Sequence, residues 1–190
     1  MRKIVSFVHL SLDGFVASEN GGLDWVTINP ELFSYVEERI RKTDTALYGR
    51  VTFQMMEAYW PTAADKPDAS KHDIDHSRWY AQTNKVVLSR TLKADNHSKT
   101  KIIGGRLNEE IGQLKQGSGS EILVFGSPSA THALMNENLI DEYWLFLNPV
   151  LLGKGVPLFK NIRQKTALTL YASKVFECGV VCLRYEQKKS

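Results

Sequence analysis

Short apolar runs alternate with helical patterns from the start of the chain to residue 136. Each run ends at Gly, Ser or another polar residue, as buried strands do, and most are followed by apolar residues at helical spacing. The pattern predicts strands at Ile4–Leu10, Thr45–Tyr48, Lys85–Leu88, Thr100–Ile103 and Ile122–Phe125. It predicts helices from Pro30 and at Thr52–Tyr59, Ile74–Thr83, Leu107–Leu114 and Ser129–Asn136, with a polar surface excursion at Pro61–Asp75.

The pattern changes after residue 136, where strand-like segments follow one another with little helix between them. These segments are Ile140–Leu147, Leu168–Phe176 and Val180–Tyr185. Alternation followed by consecutive strands predicts an α/β fold, with a mostly parallel mixed sheet flanked by helices and finished by antiparallel strands. Since neither a repeat nor an interdomain linker is visible, we expect one domain over residues 1–190.

Composition narrows the function classes. Of the 190 residues 43% are hydrophobic and 24% charged, and the net charge is +3 with dispersed Lys and Arg, which disfavours nucleic-acid binding. Neither a membrane span nor a signal peptide is predicted, so we expect a cytoplasmic protein. Cys178 and Cys182 are expected to be reduced packing residues. His72, His76 and His97 are expected at the surface and lack metal-ligand spacing, so no metal site is predicted.

Three predicted strands end in residues suited to anions. Gly126-Ser127-Pro128-Ser129-Ala130-Thr131 and Gly49-Arg50-Val51-Thr52 each turn from a strand into a helix, and Ser89-Arg90 follows a third strand. Helix N-termini offer free N–H groups to phosphates, and an Arg adds a planar set of donors. Each motif alone is also an ordinary turn or cap. Because parallel strands end at one edge, we expect a shared phosphate site there, although the GxGxxG fingerprint of Rossmann domains is absent.

The chain resembles the reductase domain of bacterial riboflavin biosynthesis (the RibD C-terminal domain), within the dihydrofolate reductase-like superfamily. The matching motifs occur in the family's order over nearly the whole chain. Besides the Gly126 segment, they are Ser11–Ala17, Leu23–Trp25, Tyr48–Phe53, Val87–Thr91 and Asn148–Gly155. The stretch Ala58–Pro61 is more like the small stand-alone members. Neither half of the zinc-deaminase motif, His-x-Glu or Pro-Cys-x-x-Cys, is present, so zinc deamination is excluded for this chain.

The resemblance implies a dihydrofolate reductase-like fold, NADPH as cofactor and a homodimer. By it, the Gly49–Thr52 turn and the Gly126–Thr131 segment hold the diphosphate, and Ser89 and Arg90 lie near the adenosine 2′-phosphate. Val16 and Ala17 lie by the nicotinamide, and the loop Ser18–Trp25 covers the reaction centre.

Three carboxylates are candidates for handling the proton in a hydride transfer: Asp13, Asp24 and Glu31. Each also has an ordinary explanation, as a turn residue, a solvated loop acid and a helix-dipole partner, respectively. Folate reductases carry a carboxylate on the first helix, but the spacing around Glu31 matches poorly, which disfavours folate as the substrate.

Aromatic residues could form the walls of a substrate pocket, although each is also an ordinary core residue: Trp25, Phe33, Tyr59 and Trp60. Lys154 is a candidate for a substrate phosphate, and Asn148-Pro149 and Gly153–Gly155 could instead serve dimer or turn geometry. Together these features predict an NADPH-dependent reductase of a small heterocyclic or carbonyl substrate, such as a pterin or a ribosylaminouracil phosphate. The alternative is a non-catalytic nucleotide-binding protein that kept the fold.

Overall fold

A single large sheet runs through the molecule in a computed structural model that describes residues 1–93 and 99–188; His97 lies outside them. The strands are β1 (Ile4–Ser11), β2 (Phe15–Ala17), β3 (Thr45–Gly49), β4 (Asn84–Leu88), β5 (Thr100–Ile103), β6 (Ile122–Phe125), β7 (Glu142–Asn148), β8 (Val156–Pro157), β9 (Leu168–Val175) and β10 (Val181–Gln187). The helices are α1 (Pro30–Arg41), α2 (Arg50–Ala63), α3 (Lys71–Gln82), α4 (Leu107–Gln116) and α5 (Pro128–Asn136).

The order of the strands confirms the predicted fold class. Within the described residues the large sheet has the order β5-β4-β3-β6-β1-β7-β10-β9. The strands from β5 to β7 are parallel, whereas β10 pairs antiparallel with both β7 and β9. The carboxyl ends of the six parallel strands therefore meet at one edge, and the β9–β10 turn lies at the same edge beside β7.

Side chains of β1 alternate between two helical layers, because successive strand residues point to opposite faces. Ile4, Val8 and Leu10 pack in the cluster that contains residues of α4 and α5. Val5 and Phe7 pack in a second cluster with residues of α1, and a third cluster joins α2 to α3. The sheet is thus covered on both faces, as parallel sheets require. No helix in the described ranges is long and apolar enough to cross a membrane.

The short β2–β8 pair was not predicted from the sequence, because two- and three-residue strands leave no periodic signal. Phe15 pairs with Pro157 and Ala17 with Val156. The pairing depends on Gly155, where a Cβ atom would lie 2.3 Å from the carbonyl oxygen of Ala17. Glycine at this position therefore lets the segment after β7 lie directly against the segment after β1.

The predicted surface excursion at Pro61–Asp75 is too long at both ends. Helix α2 continues through Pro61 to Ala63. Helix α3 already begins at Lys71, after a capping box in which Ser70 and Asp73 satisfy each other's backbone N–H groups. Only residues 64–70 connect the two helices. Pro61 lies in the last turn of α2, so the backbone donor that it lacks and the crowding by its ring disturb only the end of the helix.

Candidate functional site

The two strand-to-helix turns predicted to bind a diphosphate lie in contact. The Gly49 N–H donates to the Ser127 hydroxyl at 3.0 Å. A Cβ atom on Gly49 would be 3.1 Å from the Ser129 hydroxyl oxygen, so glycine permits this close approach. Gly126 and Ser127 both have positive φ, 51° and 48°, which turns the chain sharply from β6 into α5. The N-termini of α2 and α5 therefore lie side by side at the carboxyl edge.

Several side chains of the α5 turn are engaged within the protein. Ser127 accepts the Gly49 N–H, and the Thr131 hydroxyl donates to the Gly126 carbonyl at 3.2 Å. Thr131 and Ala130 are buried, and Pro128 has no N–H to donate. By contrast Ser129 is exposed and makes no side-chain hydrogen bond to any described residue. What this turn can offer an anion is therefore the Ser129 hydroxyl and the backbone of the first helical turn.

The turn at the start of α2 also leaves donors available to an anion. It has no side-chain cap and no acidic residue in its first turn. Arg50 is exposed and donates to Gln54 at 2.9 Å, which leaves further guanidinium donors for a ligand. Val51 is 69% exposed, and Thr52 lies one position further along the helix. An anion between the two turns would meet two positive helix ends and no carboxylate from either first turn.

Ser89 and Arg90 open onto a cavity of about 470 Å³ that reaches the first turn of α5. The Ser89 hydroxyl accepts the Leu92 N–H at 2.9 Å and so closes the turn that carries Arg90. Two arginines that the sequence analysis did not select, Arg106 and Arg163, also line this cavity, and Ser129 connects it to α5. Arg106 follows the Gly-Gly end of β5 and could have been inferred by the same rule; Arg163 is in a loop without such a signal.

Asp13, the first predicted proton donor, is bonded to the chain on both carboxylate oxygens. It accepts the Ser11 hydroxyl at 2.6 Å, the Gly153 N–H at 2.7 Å and the Leu152 N–H at 3.2 Å. The Ser11 bond, followed by those of Gly153 and Leu152, lowers the pKa of Asp13 below its ordinary value. Asp13 therefore stays ionised and anchors the segment after β7.

The other two carboxylates differ in their surroundings. Glu31 accepts the Glu177 N–H at 3.1 Å and pairs with Lys174 at 3.2 Å, which together lower its pKa. These bonds tie the start of α1 to the β9–β10 hairpin. Asp24 is exposed in the loop between β2 and α1 and has no hydrogen bond or ion pair to any described residue. Of the three candidates, Asp24 is the one whose carboxylate the protein leaves free.

Three of the four predicted pocket aromatics come together between α1, α2 and α3. Phe33 lies 4.3 Å from the His72 ring, and Trp60 lies 4.9 Å from Tyr59 and 3.9 Å from His76. Both histidines are partly buried here, rather than simply at the surface as expected. Trp25 lies apart from them, in the loop after β2, where its indole N–H donates to Gly22.

Exposed apolar side chains border the carboxyl edge itself. Leu12 follows β1 and is 63% exposed, and Leu151 follows β7 and is 69% exposed. The two segments are joined by the Leu12 N–H, which donates to Val150 at 2.8 Å. Val16 is buried in β2 and Ala17 pairs with β8, whereas Lys154 is exposed in the connection before β8. An apolar border beside polar strand-end turns can accommodate a ligand with a flat ring at one end and an anionic group at the other.

This combination of a large, mostly parallel sheet and antiparallel C-terminal strands defines a dihydrofolate reductase-like fold. The structure is similar to that of a riboflavin biosynthesis protein from Shewanella sp. PV-4, with a TM-score of 0.73 and 24% identity, covering 98% of this chain and 99% of the other. It is also similar to the deaminase and reductase protein of Thermotoga maritima, with a TM-score of 0.68, 12% identity and coverage of 98% and 57%.

A model of the RibD C-terminal domain matches residues 2–182, so the chain belongs to this family. The uncharacterized protein YyaP of Bacillus subtilis is 33% identical over 97% of this chain and 94% of its own length. The riboflavin biosynthesis protein RibD of Corynebacterium ammoniagenes is 22% identical over 83% of this chain and 48% of its own length. Membership supports a reductase role, and the match to half of RibD agrees with the missing deaminase motif.

Proposed function

We propose that the protein is an NADPH-dependent reductase that transfers hydride to a small heterocyclic or carbonyl compound, of pterin or ribosylaminouracil type. The observation that carries the cofactor is the cavity lined by Arg90, Arg106 and Arg163 and by one carboxylate, Glu137, which reaches the first turn of α5 at Ser129. That turn in turn contacts the start of α2 through Gly49. Three guanidinium groups suit a phosphate on the adenosine, and the turns suit the diphosphate. NADPH supplies the hydride when it is bound.

The chain's own residues would bind and orient the cofactor and would exclude water from it. The backbone of the first turns of α2 and α5 and the Ser129 hydroxyl would hold the diphosphate, while Leu12, Val16 and Leu151 border the ring at the edge. Asp24 is the carboxylate we favour for managing the proton, because Asp13 and Glu31 are already bonded within the protein. Lys154 is available for a substrate phosphate.

The cofactor is tested by calorimetric titration of the protein with NADPH and, in parallel, with NADH. We expect NADPH to bind more tightly, and Arg90→Ala or Arg163→Ala to weaken NADPH about tenfold or more while changing NADH little, since a bond to a charged group contributes roughly 1.5–3 kcal/mol. Arg78→Ala, on the exposed face of α3, is the matched control. Equal losses of affinity for the two cofactors would contradict the role of these arginines at the 2′-phosphate. If the protein binds neither cofactor, the proposal is overturned.

A second candidate is a nucleotide-binding protein without catalytic activity. It is favoured by the engagement of Asp13 and Glu31, which leaves the site with few free acids. If the protein has this second function, we expect it to bind NADPH tightly. We also expect no oxidation of the cofactor in the presence of pterins, pyrimidines or carbonyl compounds. Turnover with any of them decides for the reductase.

We also propose that two copies form a homodimer in the cytoplasm. The edge strand β9 supports the dimer: Leu170 is 49% exposed and Val175 71% exposed, on a strand whose outer side has no partner strand in the described part of the chain. Cys178 and Cys182 are free thiols, consistent with a reducing compartment. Light scattering during size-exclusion chromatography should give twice the mass of one chain, and a monomer would contradict the dimer.

A further inference from the structure

Asn148 is a buried amide at the carboxyl edge that contacts three parts of the chain. It is the last residue of β7 and is 1% exposed. Its Nδ2 group donates to the carbonyls of Phe146 at 3.0 Å and Leu10 at 3.2 Å. Its Oδ1 atom accepts the Thr27 N–H at 2.9 Å. One side chain therefore joins β1, β7 and the segment that leads into α1.

The loop from Ser18 to Ile28, which joins β2 to α1, otherwise depends largely on bonds within itself. The Ser18 N–H donates to Gly22, the Val26 N–H to Leu23, and the Trp25 indole to Gly22. Its beginning is held by the β2–β8 pairing. The Thr27 bond to Asn148 fixes its other end to the sheet. The placement of Asp24 and Trp25 thus depends on an amide that is distant in sequence.

His9 stabilises one orientation of the Asn148 amide. The His9 ring stacks on Phe146 at 5.0 Å, and its Nδ1 atom lies 3.3 Å from Asn148 Nδ2. Burial lowers the pKa of His9 to about 4, so the ring is neutral and Nδ1 can accept. Two carbonyls and this nitrogen all face Nδ2, which leaves Oδ1 for Thr27.

We propose that Asn148 is a positioning residue that holds the loop Ser18–Ile28, with Asp24, over the carboxyl edge of the sheet. The part that concerns reduction rests on the proposed function, because the loop covers a reaction centre only if a ring binds at that edge. Asn148 itself does not touch the reacting atoms. Its role is to keep the loop in one place. The turns at the starts of α2 and α5, which follow other strands, would hold the cofactor.

The test compares Asn148→Leu and Asn148→Asp with Asn84→Leu, which removes an amide at the opposite edge of the same sheet. Leucine removes both functions of the amide, whereas aspartate keeps an acceptor for Thr27 and loses the Nδ2 donors. Amide hydrogen exchange followed by NMR measures protection of Thr27, and acrylamide quenching measures exposure of Trp25, assigned with Trp25→Phe. We expect Asn148→Leu to speed Thr27 exchange at least tenfold and to increase quenching, and Asn148→Asp to retain part of the protection.

NADPH affinity of the same variants separates this inference from the proposed function. We expect the dissociation constant to change less than threefold, with turnover on a substrate found by screening falling at least tenfold. Unchanged Thr27 exchange and Trp25 quenching in Asn148→Leu would overturn the positioning role, whatever NADPH does. If the leucine variant does not fold, Asn148→Asp decides: Thr27 exchange faster than in the unaltered protein supports the positioning role, and exchange as slow as in the unaltered protein overturns it. Failure of the unaltered protein to bind NADPH would overturn the proposed function alone.

Discussion

Asp13 has its carboxylate oxygens occupied by Ser11, Leu152 and Gly153, so the fold stabilises the ionised form. A carboxylate in this state is a poor proton donor, but it determines where the segment after β7 lies. The residue that the motif predicts for chemistry therefore already has a structural role. A substitution at Asp13 must therefore distinguish a chemical role from a structural one.

We expect Asp13→Asn to lower turnover and spare NADPH affinity. An amide has one acceptor oxygen, so the N–H of Leu152 or Gly153 loses its protein partner and the segment after β7 is held less firmly. Initial rates and calorimetry check this. Gly153→Ala disturbs the same segment through its φ of 70° and keeps the carboxylate. Equal losses in the two variants would assign anchoring, a loss in Asp13→Asn alone would assign chemistry, and unchanged turnover in Asp13→Asn would contradict both roles.

Helices α2 and α5 begin so close together that the residue between them must lack a side chain. Gly49 has φ of −81°, so its requirement is space and not backbone conformation. A Cβ atom there would press on Ser129 and separate the two helix ends. The proposed diphosphate site is thus a property of two elements and not of either turn alone.

We expect Gly49→Ala to weaken NADPH and NADH by the same factor, of about tenfold, because both carry a diphosphate. This equality distinguishes it from Arg90→Ala. Gly112→Ala in α4 is the matched control, since a Cβ atom there meets open space and alanine favours helix by up to about 1 kcal/mol. Calorimetry with thermal unfolding measures both effects. Unchanged affinity for both cofactors would exclude the paired turns as the diphosphate site.

At the scale of the whole molecule, two buried imidazoles make stability depend on pH. Burial lowers the pKa of His9 to about 4 and that of His76, between Trp60 and Trp79, to about 3. Unfolded histidine takes up a proton near pH 6.5. Below that pH the unfolded chain binds more protons than the folded one, so stability falls as the pH drops from 6.5 towards 4.

We expect each histidine to lower the free energy of unfolding by up to about 1.4 kcal/mol per pH unit across this window. His76→Phe keeps an aromatic ring between the tryptophans and should roughly halve the slope. Urea unfolding between pH 7 and pH 5 measures it, above the range where Asp13 and Glu31 titrate. An unaltered slope would show that His76 is not kept neutral by burial.

The main strands were predictable because they are short apolar runs that end at glycine or a polar residue: β5 and β6 were predicted to the residue. The meeting of the three strand-end motifs at one edge was predictable because parallel strands end together. Arg163 and the Thr27–Asn148 bond were not, since each depends on contacts between segments far apart in the chain. Nor could the sequence indicate that Asp13 and Glu31 are bonded to backbone N–H groups of other loops.

The position of β1 between β6 and β7 bears on how the chain is made. During synthesis Ile4–Ser11 leaves the ribosome long before its two partner strands, which begin at Ile122 and Glu142. Until then this apolar strand has both edges open, and pairing across such sequence separations is slow. We therefore expect the early chain to need protection from aggregation, and the carboxyl edge of the sheet is completed only after Glu142–Asn148 has been translated.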